Sequence, residues 1–200
     1  MFAFEGVAMQ STPGSTQHRN VRFGQRLTSA FELHELGAPP DLQGGLETLR
    51  DRIRSERKGA VRSLFVGARD SGQALAAASL GKAVGMSVFR VDLSAVVSRH
   101  IGETEKSLDR IFEEVAGTDA ILFFDEADAI FGKRSEVHDS HDRYANVEAG
   151  YLLQKLDANS APAILATSSR TNIDPAFLRR LRHVIHFDAP LHPPRPLDAA

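Results

Sequence analysis

The stretch Ile121-Leu-Phe-Phe-Asp125-Glu126-Ala-Asp128 is an apolar run of strand type that ends in two adjacent carboxylates. Hydrolysis of a phosphate anhydride needs one acid to hold magnesium, usually through water, and a second to polarise the attacking water as general base. Asp125 fits the first role and Glu126 the second. The same residues also fit a strand followed by a helix with an acidic first turn, an arrangement the helix dipole favours by about 0.3–1 kcal/mol per charge. Their place at the end of a third core strand, across from the loop of the first, favours the chemical reading.

Roughly fifty residues upstream, Ser63-Leu-Phe-Val-Gly67-Ala68-Arg69-Asp70-Ser71-Gly72-Gln73-Ala74 has the strand and the glycine spacing of a phosphate loop, G-x-x-x-x-G-K-[ST]. Such a loop places backbone N–H groups and the positive end of a helix around phosphates. Gly67 and Gly72 keep that geometry available. Gln73 stands where the motif has lysine, and a neutral hydrogen bond contributes about 1 kcal/mol against about 1.5–3 for a charge-assisted one. Ala74 removes the hydroxyl that ligates magnesium, and Asp70 puts a carboxylate in a loop meant for anions. Arg69 offsets part of that repulsion. A plain glycine turn between a strand and a helix fits this segment as well.

Elements that would position these residues alternate along the chain. Apolar runs at 61–66, 87–91, 120–124, 163–167 and 183–187 read as five short strands. Between them lie helical patterns at 73–83, 103–116, 144–157 and 174–181, preceded by a short amphipathic helix at 46–53. Leu108, Ile111, Phe112 and Val115 follow i, i+3, i+4, i+7 and form one buried stripe, and Ala145, Ala149, Leu152, Leu153 and Leu156 form another. Strands alternating with helices predict an α/β fold, a five-stranded parallel sheet flanked by helices. Residues 1–40 read as a loose leader, 41–190 as the core, and 191–200 as a proline-rich, extended tail. His138 and His141, beside Asp139 and Asp142, sit in a polar loop whose loose spacing argues against a metal site.

The composition narrows the alternatives. A formal charge of 24 − 26 = −2 gives no whole-chain argument for nucleic acid or an anionic membrane surface. With no cysteine, disulfides, thiol nucleophiles and cysteine-ligated zinc are excluded. No signal segment or membrane-length apolar run is visible, and the expected location is cytoplasmic.

Three segments fall in register with the phosphate loop, one of them the acidic motif already described. They are Arg99-His100-Ile101-Gly102-Glu-Thr-Glu-Lys106, the acidic strand through Phe131, and Thr167-Ser168-Ser-Arg-Thr-Asn-Ile-Asp174-Pro-Ala-Phe-Leu-Arg179-Arg180. Over about residues 60–190 the chain resembles the AAA family of P-loop ATPases, within the AAA+ superfamily. The resemblance implies P-loop NTPase (AAA+) architecture with ATP and Mg2+ as cofactors. It implies partnership with other AAA subunits, as a homo- or hetero-oligomer, and a possible polypeptide substrate. It places Arg99, His100, Ile101 and Gly102 on a pore loop, with histidine where relatives carry an aromatic residue. A solvated loop histidine fits His100 equally. Ser168 falls at the sensor position, usually asparagine. Arg179 and Arg180 match arginines inserted into a neighbour's site, although a basic helix end accounts for them too. The chain ends soon after the fifth strand, so the family's small helical lid is expected to be missing. Together these departures imply an ATPase-like domain with weak or no hydrolysis, acting as an interaction subunit. The alternative is an ATP-hydrolysing remodeller, which the intact Asp125–Glu126 pair supports.

Overall fold

The computed structural model describes residues 24–56, 61–98, 100, 102–131, 140–168, 173 and 178–193, and for 140–146 the backbone only. The apolar run Ala120–Asp125 (β4) lies at the centre and is buried along nearly its whole length. Ile121 and Phe123 point into one core and Leu122 and Phe124 into the other, because successive side chains of a strand face opposite sides. A strand covered on both faces reads as continuous apolar sequence, which is why this one is so plain.

Around β4 stand Ser87–Asp92 (β3), Ala163–Thr167 (β5), Arg62–Gly67 (β2) and His183–Phe187 (β6), all parallel. A sixth strand, Gly24–Leu27 (β1), completes the order β1-β3-β4-β5-β2-β6 and runs antiparallel to β3. It comes from the segment expected to be a loose leader. Its four residues are half-exposed or exposed, so no alternation marks it, and it forms because β3 offers an open edge. A Cβ on Gly24 would lie 2.3 Å from Phe89 Cε1, so a larger residue there would require that ring to move. The 3-10 turn Leu33–Glu35 follows, and Leu33 and Leu36 are buried in the core beside the helices.

Pro40–Ser55 (α1) starts earlier than the apolar spacing suggested, with proline in its first turn, where its missing N–H costs nothing. Leu42, Leu46, Leu49 and Ile53 are its buried stripe. Gln73–Val84 (α2) shares that face of the sheet and approaches β3 closely through small residues. A Cβ at Gly81 would stand 2.3 Å from Val88 Cγ2. The opposite face carries Glu103–Val115 (α4) and Ser140–Ala158 (α6), with Leu108, Ile111, Leu152 and Leu156 almost wholly buried. Burial of each such side chain contributes about 1.5–3 kcal/mol. Leu93–Val96 (α3) and Asp128–Phe131 (α5) are single turns; Asp92 caps α3 by accepting from the Ser94 N–H at 2.9 Å. Residues 174–177 of the short helix expected over 174–181 lie outside the described residues.

One buried cation fastens β2 to α6. The Arg62 guanidinium, 6% exposed, donates to the carbonyls of Leu156, Asn159 and Ala161 at and beyond the end of α6. Cations are favoured there because the last carbonyls of a helix lack partners and carry the negative end of its dipole. Burial pulls the Arg62 pKa down to about 10.

Candidate functional site

A cleft of about 550 Å³ opens at the carboxyl ends of β2, β4 and β5. In parallel α/β sheets ligands bind at that end of the strands. Its first wall is the loop between β2 and α2. Gly67 sits so close to β6 that a Cβ would meet Phe187 O at 2.7 Å and Ser71 Oγ at 2.9 Å. Asp70 (φ 68°) and Gly72 (φ 96°) take left-handed conformations that bend the loop, and Gly72 hands the chain to α2 as its N-cap. The Ser71 N–H donates to Ala68 O at 3.1 Å, closing a turn. The Leu191 N–H donates to Ser71 O at 3.2 Å and its side chain covers Gly72, so the first residue of the expected tail belongs to the core. The Ser71 hydroxyl is buried beneath the loop and has no hydrogen-bond partner among the described residues.

Gln73 opens α2 and turns its amide back to the strand ends, Nε2 donating to Gly67 O and Thr167 O at 3.4 Å each. Ala74 lines the cleft with a methyl group. Arg69 leaves the loop for the opposite wall and reaches Glu126 Oε2 at 2.7 Å.

That opposite wall is the turn after β4. Asp125 ends the strand, and Glu126 adopts φ 56°, with its N–H donating to Asp125 Oδ1 at 2.9 Å. The Ala127 N–H donates to Ala166 O at 2.9 Å, tying the turn to β5. Asp125 Oδ2 accepts Arg90 Nε at 2.8 Å and Nη2 at 2.6 Å. Asp128 accepts Thr167 Oγ1 at 2.6 Å and the Ser168 N–H at 2.7 Å, so the sensor position is tied to Asp128 through its backbone.

The fold thus brings Gly67, Arg69, Asp70, Gly72, Gln73, Ala74, Asp125, Glu126 and Ser168 into one cleft. It does not bring the other candidates there. Gly102 (φ 79°) is the N-cap of α4 and His100 is exposed just before it; Arg99 and Ile101 lie outside the described residues, as do His138 and the His141 side chain. Thr104, the second residue of α4, is buried and donates to Glu148 Oε1 at 2.7 Å, which anchors this segment to α6. Arg179 and Arg180 are exposed away from the cleft, Arg180 pairing with Asp157 at 3.2 Å. Sequence reasoning missed Arg90, Asp128 and Thr167. The sequence signal for Arg90 was a lone cation inside a strand, whose role appears only when Asp92 of β3 pairs with Asp125 of β4.

Magnesium demands near-octahedral oxygen ligands at about 2.0–2.1 Å. Here both oxygens of Asp125 and both of Asp128 already accept hydrogen bonds, position 74 offers no oxygen, and Glu126 faces a guanidinium. Among the described residues no group of three or more acids, histidines or cysteines is arranged to hold a metal. The residues as placed do not fit the ion. Among the described residues no helix is long and apolar enough to cross a membrane.

The sequence model described as "ATPase family associated with various cellular activities (AAA)" matches residues 63–189. The chain is 32% identical over 144 residues to the uncharacterized AAA family ATPase y4kL of Sinorhizobium fredii, covering 70% of this chain and 43% of that protein. It is 35% identical over 103 residues to a putative cell division cycle ATPase of Plasmodium falciparum, covering 50% of this chain and 8% of that one. It therefore spans less than half the length of these relatives. The structure of the FIGL-1 AAA domain in complex with ADP superposes with a TM-score of 0.63 at 15% identity, covering 84% of this chain and 58% of that one, a likeness of fold. Phosphate-loop spacing, acidic strand end and strand order agree with a family match across 63–189, and the chain belongs to the AAA family of P-loop ATPases.

Proposed function

We propose that this chain acts as an interaction subunit of an AAA assembly, its own cleft holding nucleotide loosely with little or no hydrolysis. The observation that carries the reading is Gln73. It occupies the lysine position and directs its amide to two backbone carbonyls, so it brings no charge to a phosphate. Ala74 adds the loss of the magnesium hydroxyl, and Arg69 and Arg90 engage the acids that would hold metal and water. Loss of charge and metal ligation weakens the transition state as well as the bound state, and each tenfold in rate corresponds to only about 1.4 kcal/mol. The ADP in the FIGL-1 domain supports nucleotide as the ligand class.

Within an assembly, Arg179 is the better candidate to enter a neighbour's site, since it is exposed while Arg180 is engaged with Asp157. Finger chemistry is supplied in trans, so a silent pocket does not forbid it. A polypeptide substrate at the segment around His100 belongs to the same proposal.

An ATP turnover assay on the chain and on Glu126→Gln tests the reading. Background rates in both are expected. Steady turnover by the wild type that the substitution abolishes would establish the rival reading, an ATP-hydrolysing remodeller, for which the adjacent Asp125 and Glu126 in the cleft speak. Mixing the chain with a lysine-intact AAA partner tests the finger: partner turnover should respond to the wild type and lose most of that response with Arg179→Ala.

A further inference from the structure

The nucleotide-holding reading above leaves open the form in which the ligand enters, and the charges in the cleft specify it. A phosphate cradle and a divalent cation ordinarily neutralise an anhydride together. This cleft keeps the first and has given the ligands of the second to arginine. Arg90, itself only partly exposed, holds Asp125 Oδ2 through both Nε and Nη2, while Asp125 Oδ1 is taken by the Glu126 N–H.

Arg69 differs from Arg90 in how firmly it is held. Its side chain is 76% exposed and, among the described residues, makes a single ion pair, Nη2 to Glu126 Oε2 at 2.7 Å. Exposed pairs of that kind contribute little, because water and salt screen them and two long side chains must be ordered. A guanidinium on a phosphate gains a second parallel hydrogen bond, so exchanging Glu126 for a phosphate is favourable. Arg69 lies on the loop itself, within the cradle it would complete.

Three acids limit how much negative charge can enter. Asp70 is exposed and screened, Asp128 is fixed at the cleft by the Thr167 hydroxyl and the Ser168 N–H, and Glu126 loses its partner once Arg69 turns to a phosphate. All three oppose each added phosphate charge, which favours a diphosphate over a triphosphate.

We propose that the cleft binds the diphosphate of a nucleotide free of divalent cation, with Arg69 leaving Glu126 to supply the counter-charge while Arg90 keeps Asp125 from metal.

The test is calorimetric titration of the full chain with ADP, once in excess EDTA and once in excess Mg2+, with ATP titrated in EDTA and ATP turnover followed in parallel. The expected Kd for ADP is the same in both media to within about threefold, and tighter than for ATP. Arg69→Ala should weaken ADP by about tenfold or more in both media, the loss expected for one charge-assisted contact. Because Arg69 is exposed, this variant should keep the wild-type melting temperature without ligand. Arg90→Leu combined with Ala74→Thr should make Mg2+ tighten ADP, by freeing Asp125 and restoring the hydroxyl. Tightening of wild-type ADP binding by tenfold with Mg2+, absence of binding in both media, or an Arg69→Ala variant with unchanged affinity would each overturn the proposal. Steady ATP turnover beside Mg2+-independent ADP binding would instead overturn the non-hydrolysing reading and leave this one standing.

Discussion

The loop after β2 and the turn after β4 face each other across one cleft, and different kinds of interaction hold them. The loop is shaped by its backbone: Gly67 against Phe187, Gly72 under Leu191, and the Ser71 carbonyl on the Leu191 N–H. The turn is shaped by its side chains: Asp125 on Arg90 and on the Glu126 N–H, Asp128 on Thr167 and Ser168. A wall built from main chain keeps its form when the residues at 73 and 74 change. A wall built from carboxylates keeps its form only while cations and N–H donors balance them. Substitution at a phosphate loop can therefore remove chemistry without removing shape.

The largest test of that contrast is Gly67→Ala. Its Cβ would lie 2.6 Å from Phe187 Cβ and 2.7 Å from Phe187 O, and main chain cannot step aside as a side-chain end can. The expected loss is about 1–3 kcal/mol, read as a lower midpoint in urea unfolding, since overpacking of this kind costs that much. An unchanged midpoint would mean that the loop is not braced by β6.

Next in size is Gln73→Lys with Ala74→Thr. If the main chain preserves the cradle, charge and hydroxyl should act on the same phosphates, and titration of nucleotide with Mg2+ should give a coupling of about 0.5–3 kcal/mol between the two changes. Strictly additive or absent effects would show a loop that no longer cradles phosphate.

Ser71→Ala is a smaller change of opposite sign. The hydroxyl is buried with no partner among the described residues, so its removal should raise stability by up to about 1 kcal/mol, seen as a higher melting temperature. A lower melting temperature would mean that the hydroxyl is satisfied in solution.

The smallest effect sets a boundary on the comparison, because it belongs to neither wall. Partial burial at the start of β6, helped by Arg52, lowers the His183 pKa below its ordinary 6.5. The unfolded chain then takes up this proton first as pH falls, so stability should decline from about pH 6.5 downward, through the lowered folded pKa. In His183→Gln that part of the decline should vanish; melting curves with equal slopes against pH for the two proteins would assign the acid loss elsewhere.

How much of this was legible follows from the same physics. The five parallel strands and the stripe on α4 were plain, because burial on both faces or on one helical face leaves a periodic signal. β1 was not, since four residues on an open edge leave none. The loop and the acid pair were legible as local spacing. Arg90 on Asp125 and Thr167 on Asp128 depend on register between strands, which spacing along one strand does not carry. Arg62 was hidden inside an apolar run, because its partners are carbonyls and carbonyls have no sequence.

The strand that carries the phosphate loop also sets an order of events during folding. β2 lies early in the chain, yet both of its sheet neighbours, β5 and β6, are made roughly a hundred residues later, and contacts that distant form slowly because a long loop must close first. Until those strands emerge, the apolar Leu64 and Phe65 stand on a strand with two open edges, the condition that invites pairing with another chain. Neither the cleft nor its Arg62 fastening exists at that stage. During synthesis the cradle is therefore among the last parts of the domain to be completed, and a chain cut short before Ala163 would leave both edges of β2 unpaired.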